Sequence, residues 1–195
     1  MKKQVFYTLA ATVLLSSSLL SALNVQADET EPAKDSTTST AKITFTGDNT
    51  DPVDPVNPDD PDNPVNPVDP DDPDNHGTGD NGPLSIDYVS NITFGTQDIS
   101  TTSQVYNAEN AEPHVQITDK RGVEGGWTLT AAATKFVASD HSELKGAELS
   151  FKNGVAEKTS GNTSEAPATS DLIFTNTEAK TVMTADSLKG QGTWL

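Results

Sequence analysis

His76, His114 and His141 are the three histidines of this chain, and each stands alone. None lies at a spacing from another histidine or carboxylate that would build a metal pair or a proton relay, so each reads as a loop residue. Ser142-Glu143-Leu144-Lys145 matches the S-x-x-K of penicillin-binding enzymes, which also need S-D-N and K-T-G elements. The nearest counterpart, Lys158-Thr159-Ser160, lacks the glycine. Gly77-Thr78-Gly79-Asp80-Asn81-Gly82 matches G-x-G-x-x-G, yet a dinucleotide site needs a strand before the glycines and a helix after them. Here a proline run precedes and a strand pattern follows. Asp72-x-Asp74-x-His76-Gly77 opens like a calcium loop, but Pro83 occupies the place of the bidentate glutamate. Asn91-Ile92-Thr93 and Asn162-Thr163-Ser164 fit a glycosylation sequon and read as surface strand and loop residues. The expectation is a non-enzymatic chain with no catalytic residue, no cofactor and no metal.

The elements around these residues divide the chain of 195 into four parts. Residues 1–27 read as a secretory signal: Lys2 and Lys3, an apolar stretch from Val5 to Leu23, and Val25-Gln26-Ala27 as a small-residue cleavage site. The apolar stretch is broken by Ser16, Ser17 and Ser18, so it is read as cleaved and not as a retained membrane span. Export gives meaning to the count of zero cysteines, which rules out disulfides, thiolate metal sites and a lipidated cysteine. Net charge is −17, and loss of Lys2 and Lys3 with the signal takes it to −19. Such a chain repels phosphate backbones, so nucleic acid is not expected as a partner.

Residues 28–50 are polar and read as disordered. Residues 51–82 form an acidic, proline-rich spacer and hinge. Prolines stand at every third position from Pro52 to Pro73, within a twelve-residue repeat used twice. That period matches polyproline II, and repulsion among nine aspartates extends it, so a stiff solvated rod is expected over 51–74. From residue 83 to 195 the pattern is of short strands. Leu84, Ile86 and Tyr88 alternate with Ser85, Asp87 and Val89. Ile92/Phe94, Val115/Ile117, Trp127/Leu129/Ala131 and Ala147/Leu149/Phe151 repeat the spacing, before Leu172-Ile173-Phe174 and Val182-Met183. Turns fall at Lys120-Arg121-Gly122 and at Lys152-Asn153-Gly154, which carries the Asn-Gly hairpin signature. The fold class expected is all-β: an antiparallel sandwich or barrel-like domain preceded by a disordered proline-rich spacer.

One ordered series of segments goes further. Leu84 to Ser100 (LSIDYVSNITFGTQDIS) is followed by Val115 to Gly122 (VQITDKRG), by Gly125 to Thr130 (GGWTLT) and by Gly190 to Leu195 (GQGTWL). Together they resemble the WxL domain, a cell-surface module of low-GC Gram-positive bacteria. The resemblance implies an extracellular protein held non-covalently to the cell wall and its peptidoglycan. It also implies association with companion WxL proteins and their membrane-anchored partners, with no membrane span left after signal cleavage. The rival reading is an adhesin or assembly subunit that binds a host-matrix or bacterial protein. The family pattern has a second Trp-x-Leu near its end, whereas this chain ends on Trp194-Leu195. It therefore reads as a truncated member, with an incomplete domain and an unpaired edge strand at its end. Trp127, Leu129 and Trp194 are the candidate binding residues. Periodicity leaves open whether the Trp127 indole faces the core or offers a surface for stacking on sugar.

Overall fold

The computed structural model describes residues 6–12, 38–44, 50–64, 68–122 and 124–195. It divides into two compact units, Met1–Thr46 and Gly47–Leu195. In the first, β1 (Phe6–Thr12) pairs antiparallel with β2 (Thr38–Thr44), Phe6 opposite Thr44 and Thr12 opposite Thr38. The rest of the expected signal and of the segment 28–50, Thr50 apart, lies outside the described residues.

The described residues of the second unit form ten short strands: β3 (Val56–Asn57), β4 (Asp60–Pro64), β5 (Leu84–Val89), β6 (Val115–Asp119), β7 (Trp127–Ala131), β8 (Leu149–Phe151), β9 (Ala168–Thr169), β10 (Leu172–Phe174), β11 (Lys180–Ala185) and β12 (Gly192–Trp194). The described residues contain no helix, and every strand pair is antiparallel. Two three-stranded sheets, ordered β12-β6-β5 and β7-β11-β9, carry the core. Ile117 and Trp194 come from the first, Trp127, Met183 and Ala185 from the second, and the five form one buried cluster. The sheets thus close on each other through alternate side chains, as the period-two pattern requires. The expected all-β class holds.

Three expectations are corrected. β5 buries Ser85 and Asp87 as well as Tyr88 and exposes Ile86, so the alternating apolar set Leu84, Ile86 and Tyr88 does not share one buried face. Its ladder with β6 shifts register between Ile86 and Tyr88, and a bulge re-aims the side chains beyond it. Ile92 and Phe94 lie outside any strand. Asn153 does adopt a left-handed φ of 59°, but β8 pairs with the distant β10 and forms no hairpin across the Asn-Gly step.

A larger correction concerns the prolines. The tract turns back on itself as the β3–β4 pair, and Val56 and Val68 are buried. These two valines occupy the same place in the twelve-residue repeat. The turn after each valine matches as well: the Asn57 carboxamide oxygen accepts from the Asp59 N–H at 2.8 Å, and the Asp69 carboxylate accepts from the Asp71 N–H at 2.9 Å. Each copy is therefore an Asx-type turn that follows an apolar plug. A solvated rod would leave those valines in water. Burying one is worth roughly 1.5–3 kcal/mol, which offsets the repulsion of neighbouring aspartates.

The chain's last strand is also covered. β12 pairs with β6 on one side, while Trp194 bridges to Lys158 on the other. Leu195 and Glu157 exchange both backbone hydrogen bonds, at 2.9 and 3.0 Å. The unpaired edge expected at Trp194-Leu195 is not there.

Candidate functional site

Trp127 and Trp194 meet inside the sandwich, 8% and 1% exposed. The Trp127 indole N–H donates to the Gly190 carbonyl at 2.9 Å, and that of Trp194 to the Gln191 carbonyl at 3.0 Å. Leu129, half-buried, packs against the same cluster. The ammonium of Lys158 lies 5.9 Å from the centre of the Trp194 ring. The glycine before Trp127 has a packing reason: a Cβ on Gly126 would stand 2.0 Å from the Ala185 carbonyl oxygen. Arg121 fastens this strand entry to β6. Its guanidinium grips Asp119 with two bonds of 2.9 and 3.0 Å and donates to the Gly126 carbonyl at 3.1 Å. Hydrogen bonding to Asp119 also raises Arg121 above its ordinary pKa. The three residues singled out from sequence are thus brought together, but as a core.

The opposite face of the β12-β6-β5 sheet is polar and also covered. Ser85, Asp87, Gln116 and Thr118 are all at most 3% exposed. The Asp87 carboxylate accepts from Ser85 and Thr118 at 2.6 Å and from Gln116 at 3.2 Å. Gln116 then reaches the proline tract: its carboxamide oxygen accepts from the Val56 N–H at 2.9 Å, and its nitrogen donates to the Asp54 carbonyl at 3.2 Å. A buried glutamine with both ends occupied fixes the register of the tract on the sheet.

Beside this network a groove of about 520 Å³ opens to solvent. Thr118 and Thr193 form its floor, their hydroxyls 2.9 Å apart. The loop Thr159–Ser164 makes one side, and Val53 of the proline tract lines it as well. Asn162 holds the loop to β12 by donating to the Gln191 and Thr193 carbonyls at 3.0 and 3.4 Å. Its oxygen accepts from the Ser164 N–H, and Ser164 accepts from the Gln191 N–H. Gly192, at φ +82°, lets the strand pass beneath: a Cβ there would come within 2.7 Å of the Asn162 nitrogen. Among the described residues the one charged side chain on the groove wall is Lys120, whose ammonium is held by the Asp51 carbonyl. Hydroxyls and carboxamides in such an array exchange hydrogen bonds with a neutral polar ligand. Sequence reasoning noticed Asn162-Thr163-Ser164 only as a surface loop, and nothing local marks Thr118 or Thr193 as its neighbours.

The other chemistry-bearing residues are dispersed. Ser142 donates to Asp140 at 2.6 Å within a turn, and that bond lowers the Asp140 pKa. His114 stacks on Tyr88 with ring centres 4.8 Å apart. The glycine-rich run lies along β5, where Thr78 bonds the Asp87 carbonyl.

A family model for the WxL domain, described as surface cell wall-binding, matches residues 32–195. The chain belongs to the WxL family. No curated protein and no solved structure matches it. The WxL match takes in the proline tract as well as the strands, in keeping with the single unit Gly47–Leu195. As a WxL protein it is a cell-surface, wall-binding protein, and no helix among its described residues is long and apolar enough to cross a membrane.

Proposed function

We propose that the WxL domain of this chain holds an exported, non-enzymatic protein to peptidoglycan without a covalent bond. The observation that carries this is the wall-binding family match over residues 32–195. The leader-like residues 1–27 and the zero cysteines agree with export and with attachment that uses no lipidated thiol. In this reading Trp127, Leu129 and Trp194 build the platform, because an indole buried to 1% has no face to lay on a sugar. Companion WxL proteins and their membrane-anchored partners are further partners implied by the family, on a Gram-positive surface.

The test is sedimentation of the full chain with purified walls, before and after their anionic polymers are stripped. Retention on stripped peptidoglycan is the expected result. Failure to sediment with either preparation, together with capture by a wall-protein partner, would replace this reading with the assembly-subunit one.

A further inference from the structure

The groove beside β12 differs from the rest of this acidic protein. Its lining is mostly hydroxyl and carboxamide and holds no carboxylate among the described residues; Asp62 accepts from the Ser160 N–H at 2.6 Å just beyond the loop. Thr159 and Thr163 line it, and neither hydroxyl is hydrogen-bonded among the described residues. The loop that presents them is already fixed by Asn162 and Ser164, so little ordering cost remains for a ligand to meet. Gly161 adds open backbone: a Cβ there would meet nothing within 4 Å. At the rim Leu188 is 62% exposed and sits at φ 69°, a left-handed conformation rare for a branched side chain. Leu188 and Val53 offer aliphatic surface to the C–H face of a sugar ring.

We propose that this groove is a saccharide subsite that takes an uncharged glycan bearing hydroxyl and acetamide groups, and that it rejects phosphate-linked wall polymers. The inference rests on the wall-attachment reading above and deepens it to a place and a ligand class. Neutral donors and acceptors at Thr159 and Thr163 match such a glycan. Against an anionic polymer stands the net charge of −17, with Lys120 as the single cation in the described lining and one of its donors taken by the Asp51 carbonyl. No aromatic side chain among the described residues lines the groove, so a single site binds weakly and retention on a wall comes from many contacts at once. Val53 also makes the proline tract part of the site. That segment is held in place by the Asp54 and Val56 bonds to Gln116.

The experiment uses the full chain, isotope-labelled, titrated with chitotetraose and separately with a glycerol-phosphate polymer. Chitotetraose is expected to shift amide signals of 159–164 and 191–193, with the phosphate polymer leaving them in place. The double variant Thr159→Val/Thr163→Val keeps shape and removes both hydroxyls, and should weaken chitotetraose binding about tenfold at an unchanged melting temperature. Unchanged chitotetraose affinity in that variant overturns the groove, even with wall sedimentation intact. Shifts produced there by the phosphate polymer and not by chitotetraose overturn the ligand class. A wild-type chain that binds chitotetraose at these residues but leaves walls unsedimented keeps the subsite and sinks the attachment reading.

Discussion

At the scale of single residues, the two tryptophans explain why the motif segments look as they do. Each indole N–H ends on a carbonyl of the Gly190–Gln191 step, so GGWTLT and GQGTWL are the two halves of one packing arrangement. Trp127→Ala should cost about 3–5 kcal/mol in urea unfolding, since it empties the centre of the cluster. Trp127→Phe keeps most of the volume but leaves the Gly190 carbonyl unpaired, and should cost about 1–3 kcal/mol. If both variants unfold at the wild-type urea midpoint, the core assignment is wrong. Tyr88 supplies a test at high pH. Burial raises its phenol above the ordinary 10.0; the Ser90 side chain opposes this, and the carboxylates of Asp69 and Asp72 add smaller effects in the raising direction. The folded state therefore keeps a proton that the unfolded chain releases. The contribution of Tyr88 to stability should be level below pH 10.0 and fall above it, with its phenolate absorbance in the folded protein appearing at higher pH than that of a free tyrosine. A phenolate signal from Tyr88 in the folded protein at its ordinary value would contradict this.

At the scale of elements, the strands were legible where one face is dry. Val115/Ile117, Trp127/Leu129 and Leu172/Phe174 alternate in sequence, and each sits in a strand of the structure. β5 was legible as a strand but not in its facing. Period two says which residues share a side, and when both sides are covered it cannot say which cover is apolar. The order of the proline tract is hidden in the sequence for a related reason. Its valines are too sparse to signal a core, and the partner that orders them, Gln116, stands 60 residues from Val56. Docking of the tract predicts slow amide exchange at Val56, by virtue of its bond to Gln116. Val56→Asp should release the tract, speed that exchange, and lower stability by about 2–4 kcal/mol as a buried apolar contact becomes an unpaired charge. A Val56 amide that exchanges at the unprotected rate in the wild type would restore the solvated rod.

At the scale of the whole molecule, the core of the WxL domain is two sheets with tryptophans between them, a buried polar network on the outer face of one sheet, and a groove free of carboxylates, among the described residues, beside it. The groove was the least legible part. It joins Thr118, residues 159–164 and residues 191–193, which approach only after the sheets form. The account holds that neutral glycan, and not charge, keeps this acidic protein on the wall. The most direct measurement is the fraction of full chain that sediments with walls before and after removal of their anionic polymers, at low and at high salt. The account predicts equal or greater sedimentation on the stripped walls, with little dependence on salt. Loss of sedimentation on stripping, or release by salt, would contradict it.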